Sequence, residues 1–166
     1  MTTTKDPDIL NVSEAVSIAW RPQDGEEVLT FVDRENGTDT IVEYINGETT
    51  PIVEFDETIS GRAGTIQWSP EGESVTYVRS DEIRVYDTNE DTEITPVPSS
   101  GFDSAPQWSP DGDQLAFVSN RHGDATDIFT VNVGSGEVQQ VTEGATRDDE
   151  IRFGPAWSPD GDAITY

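Results

Sequence analysis

Cysteine is absent from the 166-residue chain, lysine occurs only as Lys5 and histidine only as His122. Without thiols there is no disulfide framework, no thiolate nucleophile and no thiolate metal ligand. A lone imidazole has no second histidine or cysteine with which to hold a metal, so His122 reads as a loop residue rather than a catalytic one. No apolar run approaches the ~20 residues of a membrane span, and the stretch from Met1 to Asp8 lacks the apolar centre of a secretion signal, so the expected location is the cytoplasm. Positive charge is scarce: 9 Lys and Arg stand against 34 Asp and Glu, for a net charge of -25. That field repels phosphate backbones and anionic headgroups, so neither nucleic acid nor a membrane surface is an expected partner. No stretch carries a useful helical period.

What is present is β-prone. Only 33% of the residues are hydrophobic, but they gather in short runs such as Leu115 to Val118 and Ile128 to Val133, a pattern of strands rather than of a disordered acidic chain. Eight of the nine bases are arginines, and the acids divide into 18 Asp and 16 Glu, a bias resembling proteins of salt-accumulating halophiles. Molar salt shortens the Debye length from about 8 Å to about 3 Å, which relieves repulsion between neighbouring carboxylates. A salt-rich cytosol is therefore the expected setting.

A repeat organises these runs. Ala19-Trp20-Arg21-Pro22, Gln67-Trp68-Ser69-Pro70, Gln107-Trp108-Ser109-Pro110 and Ala156-Trp157-Ser158-Pro159 align, with tryptophans 48, 40 and 49 residues apart. Gly72, Gly112 and Gly161 follow their tryptophans after four residues and Gly25 after five. An aromatic follows nine residues after the tryptophan in three copies (Tyr77, Phe117, Tyr166) and eleven after it in the first (Phe31), which carries two extra residues. A period of about 40 to 50 belongs to propeller blades. The clearest copy reads as strands over 105–109, 114–119, 127–133 and 137–142, with Pro110-Asp111-Gly112-Asp113 and Gly134-Ser135-Gly136 as turns. Its second strand is apolar on both faces, as suits a sheet covered on both sides.

The expected fold is thus all-β, a propeller of four-stranded antiparallel blades, incomplete in this chain. Residues 1–13 form a lead with one possible closing strand, 14–60 the first blade, 61–101 the second, 102–148 the third and 149–166 half of a fourth. Propellers close with about four to eight blades, so a fragment of a longer protein is expected. Closure by a second copy is the rival.

The WSPDG element, the Asp-Ile-Phe third strand and the Gln-Val-Thr fourth strand resemble the repeats of TolB-like propellers and of the N-terminal propellers of prolyl oligopeptidase family peptidases. The opening Asp8-Ile9-Leu10-Asn11-Val12-Ser13-Glu14-Ala15 looks like the start of acylaminoacyl-peptidase or dipeptidyl-peptidase-like members. The resemblance implies a non-catalytic propeller that screens access to a hydrolase domain, with peptide substrates, and with the remaining blades and that domain, or a second copy, as partners. A stand-alone TolB-like binding propeller is the alternative. No Gly-x-Ser-x-Gly elbow occurs, so no catalytic residue carries over, and no cofactor is implied.

The positions singled out are structural: Trp20, Trp68, Trp108 and Trp157 as packing residues, with Pro22, Pro70, Pro110, Pro159, Gly25, Gly72, Gly112 and Gly161 as turn residues. Asp111 with Asp113, and Asp160 with Asp162, read as turn aspartates rather than a calcium cage, which needs six to eight oxygens. Arg147-Asp148-Asp149-Glu150 reads as a solvated connection rather than an acidic rim for cationic peptide ends.

Overall fold

A computed structural model of the protein describes residues 15–23, 26–45, 48–56, 58–59, 66–97, 101–123, 125–143 and 154–166. The opening segment Asp8 to Glu14, Gly25 and the Arg147 to Glu150 run lie outside the described residues. Among the described residues every regular element is a strand.

Among the described residues, three sheets have four strands each and a last one has two. The first comprises β1 (Ala15–Gln23), β2 (Glu26–Glu35), β3 (Thr38–Ile45) and β4 (Glu48–Phe55). The second comprises β5 (Gln67–Trp68), β6 (Ser74–Arg79), β7 (Glu82–Asp87) and β8 (Thr92–Ile94). The third comprises β9 (Asp103–Trp108), β10 (Gln114–Ser119), β11 (Asp127–Asn132) and β12 (Val138–Gln140), and the fourth β13 (Ala156–Trp157) and β14 (Ile164–Thr165). Each sheet is an antiparallel meander in chain order. The innermost strands contact one another in sequence, β1 with β5, β5 with β9 and β9 with β13. Sheets stacked along one such line are blades around an axis.

Alternation along each second strand explains why no blade has a core of its own. Val75 and Tyr77 face the first sheet, packing with Val32, Ile41, Phe55 and Trp68. Val78, one residue on, faces the third sheet beside Leu115, Phe117, Phe129 and Val131. Strand period two thus sends successive side chains into different interblade layers, and β6 and β10 are buried on both faces as their apolar runs require. Each fully buried aliphatic or aromatic contributes about 1.5–3 kcal/mol, so the sheets stabilise one another rather than themselves.

Two local expectations are corrected. Pro22 does not sit in a turn: β1 and β2 remain paired through Pro22 opposite Glu27 and Gln23 opposite Glu26. The two extra residues of the first copy lengthen its ladder, and proline is tolerated because β1 is a sheet edge. The inner strand of the third sheet begins at Asp103 rather than Ala105, because a bulge there places Ala105 at φ 51° and keeps Asp103 opposite Ser119.

Candidate functional site: the stacked turns and the clefts between blades

The serine after each of the last three tryptophans organises the turn that follows. Ser109 N–H donates to the carbonyl of Gln114 at 2.9 Å, its Oγ accepts from Gln114 N–H at 2.9 Å, and its hydroxyl lies 2.6 Å from Asp111 Oδ1. Asp111 also accepts from Asp113 N–H at 3.2 Å. Ser158 repeats these bonds with Ala163, Asp160 and Asp162. The Ser109 and Ser158 hydroxyls, then the backbone amides, hold the Asp111 and Asp160 carboxyls below the usual aspartate range. Gly72, Gly112 and Gly161 close the turns at φ 73°, 76° and 77°, the left-handed region that glycine enters without steric cost.

The tryptophans do more than fill space. Trp108 Nε1 donates to the carbonyl of Gln67 at 3.3 Å and Trp157 Nε1 to the carbonyl of Gln107 at 3.1 Å, in each case the residue before the preceding tryptophan. Trp68 reaches the equivalent carbonyl, that of Ala19, through a relay: its Nε1 donates to Thr30 Oγ1 at 2.8 Å, and Thr30 donates to Ala19 at 3.0 Å. Thr76 and Thr165 hold the same register position and bond to Gln67 and Ala156. The indole is therefore an interblade donor. Trp20 departs from the expected packing role, since it is 58% exposed while Trp68 is only 7% exposed. With no described blade ahead of it, its indole meets no acceptor among the described residues.

Where the later copies have serine the first has Arg21, and it crosses to the second blade. Its Nε donates to the carbonyl of Gly72 at 2.7 Å and its Nη2 to Thr88 Oγ1 at 3.2 Å, while Nη1 pairs with Glu43. Its guanidinium carbon lies 4.4 Å from the centroid of the Trp68 ring, a cation–π placement. Gly72 approaches so closely that a Cβ there would lie 1.7 Å from the Pro22 carbonyl oxygen.

Among the described residues, clefts open between sheets. One of about 470 Å³ lies beside Phe55, Arg79, Arg84, Tyr86 and Glu93. Its arginines are already engaged: Arg79 lies 2.6 Å and Arg84 3.3 Å from Glu93 Oε1. Glu93 also accepts from the Tyr77 hydroxyl, and burial, reinforced by that bond, pushes the Tyr77 pKa upward. Tyr86 is pushed up to about 12, chiefly by its bond to Asp91. Another cleft, of about 250 Å³, lies between the second and third sheets, with Trp108, Gly112 and Val133 on one side and Glu71 and Glu73 on the other.

Among the described residues three aspartates are buried, and of these only Asp127 stood in a motif, as the first residue of the Asp-Ile-Phe element. Asp39 is held by Arg34 at 2.6 and 2.7 Å and accepts from Ile59 N–H, Asp103 is held by Arg121 at 3.0 and 3.1 Å, and Asp127 accepts from Thr142 and Gln140. The serines could have been found, because Ser69, Ser109 and Ser158 stand at one position in three copies. His122 caps the third blade, its Nδ1 2.9 Å from Gln140 Oε1 and its ring edge-on to Phe129. Pro70, Pro110 and Pro159 are exposed turn residues. Among the described residues no helix is long and apolar enough to cross a membrane.

Residues 64–166 match the family model described as the TolB beta propeller domain. No curated protein matches the chain. Among solved structures it is similar to TolB from Acinetobacter baumannii, with TM-score 0.70 and 24% identity over 90% of this chain and 36% of that one. It is also similar to the tricorn protease, with TM-score 0.65 and 15% identity over 93% of this chain and 15% of that one. Porphyromonas gingivalis dipeptidyl peptidase 4 aligns with TM-score 0.58 and 14% identity over 82% of this chain and 27% of that one. The chain thus spans little more than a third, or less, of each of these, and at such identities the likeness is one of fold.

Proposed function

The chain belongs to the TolB beta propeller family, and from that premise we propose that it is the non-catalytic propeller portion of a prolyl-oligopeptidase-like serine peptidase, governing substrate access and interaction. One observation carries the non-catalytic half of this reading. The repeat serines and aspartates that could suggest chemistry are committed to their own turns, and the described part of the chain gives its side chains to joining blades. The likeness to propellers of peptidases supports the other half. In this reading the chain by itself hydrolyses nothing. The edge at β1, where Ile18 and Trp20 are 61% and 58% exposed, meets further blades, the hydrolase domain or a second copy.

The test is chemical. The full-length protein carrying these blades should label with a fluorophosphonate and release product from blocked peptides, while the isolated chain does neither. A reading frame that continues into further blades but holds no Gly-x-Ser-x-Gly followed by aspartate and histidine sinks the peptidase reading and leaves a free-standing TolB-like binding propeller.

A further inference from the structure

We propose that the cleft beside Trp108, between the second and third sheets, binds an arginine side chain presented by a peptide. The chain already contains the occupied version of this socket. Between the first and second sheets the Arg21 guanidinium lies over Trp68, donates to the carbonyl of Gly72 and reaches Thr88.

One blade further on, each partner has its counterpart. Trp108 stands where Trp68 does, since Trp68 pairs with Val75 and Trp108 with Leu115. Gly112 stands where Gly72 does, each bonded through its N–H to the serine three residues back. Val133 stands where Thr88 does, because Val133 N–H donates to Asp113 as Thr88 N–H donates to Glu73, in both cases at 3.0 Å. All three counterparts line the same cleft of about 250 Å³. Three residues differ: Val133 offers no hydroxyl where Thr88 Oγ1 accepts from the guanidinium, Val85 stands where Glu43 does, and Ser69 replaces Arg21, turning its hydroxyl to its own turn, where it accepts from Ser74 N–H at 3.1 Å.

The charge around the vacant socket suits the missing group. Glu71, Glu73 and Asp113 line it, and among the described residues no base does. In the occupied socket one carboxylate, Glu43, pairs with the guanidinium. An aromatic face, a turn carbonyl and carboxylates together favour a planar guanidinium, which stacks and donates in its own plane, over a compact ammonium.

The experiment uses the chain as it is, in salt that keeps it folded, with Nα-acetyl-arginine amide as probe and the uncharged Nα-acetyl-citrulline amide as control, read by the Trp108 indole N–H resonance. The expected result is a saturable shift with a millimolar Kd, as one cation on one aromatic face with exposed carboxylates should give. Citrulline should produce none. Replacing the exposed carboxylates, Glu71→Gln with Asp113→Asn, should weaken binding at least about fivefold. Ser69→Arg, which supplies the cation from within the chain, should abolish the shift. Equal response to citrulline, no saturation by about 50 mM probe, or unchanged affinity in the Glu71→Gln/Asp113→Asn variant overturns the proposal; that pair of surface changes decides the matter if Ser69→Arg fails to fold.

Discussion

Replacing Gly72 with alanine tests whether the turns hold one blade against the next. Gly37, Gly112 and Gly72 all have positive φ, 86°, 76° and 73°, so alanine at any of them meets the same backbone penalty of about 1–2 kcal/mol. Their surroundings differ. Around Gly37 a new Cβ would meet nothing within 4 Å, at Gly112 it would meet the Glu71 carboxylate at 2.8 Å, and at Gly72 the Pro22 carbonyl oxygen at 1.7 Å. A glutamate end can swing away, whereas the Pro22 carbonyl belongs to a paired strand, and contacts under 3.0 Å are essentially never seen for Cβ atoms. The second blade must then shift by more than an ångström or β1 must buckle, which adds about 1–3 kcal/mol of overpacking. Gly37→Ala should therefore cost about 1–2 kcal/mol, Gly112→Ala little more, and Gly72→Ala about 2–5 kcal/mol in all. Urea unfolding followed by tryptophan fluorescence measures this through the midpoints, provided the slopes stay equal. If Gly72→Ala falls within about 0.5 kcal/mol of Gly37→Ala, a resolution ordinary for such midpoints, the interblade contact at Pro22 has no energetic role.

The relay from Trp68 through Thr30 to Ala19 predicts coupling: Trp68→Phe should cost about 1–2 kcal/mol and the double variant with Thr30→Val less than the sum, so additivity within about 0.3 kcal/mol would discount the relay. Alkaline stability has a definite sign. Unfolded tyrosine loses its proton near pH 10, whereas folded Tyr86 keeps it to about 12 and Tyr77 shifts the same way, so the folded state binds more protons and stability falls as pH rises through that window. Tyr86→Phe should flatten the slope, which a urea midpoint series from pH 9 to about 11.5 would show. The -25 charge carries the proposal of a halophilic setting. It predicts a rise in the unfolding midpoint as potassium chloride goes from about 0.1 M to about 2 M, and a flat response would exclude that setting.

The blade was legible in the chain because its causes are local. Tryptophan, serine, proline and glycine at fixed offsets make a hairpin whose bonds stay within five residues, and the two-faced apolar runs of β6 and β10 demand a covering sheet on each side. How the blades are joined was not legible, because those contacts link residues far apart in sequence. Trp68 and Trp108 share one sequence pattern, yet one is closed over by Arg21, 47 residues ahead of it, and the other faces a cleft. Asp103 reads in sequence as one more member of the acidic majority, and only the pairing of β9 with β10 brings Arg121, 18 residues on, beside it and takes it out of water. Local hydrogen bonding set the turns and strands; the register of one sheet upon the next decided which polar groups became links and which remained open.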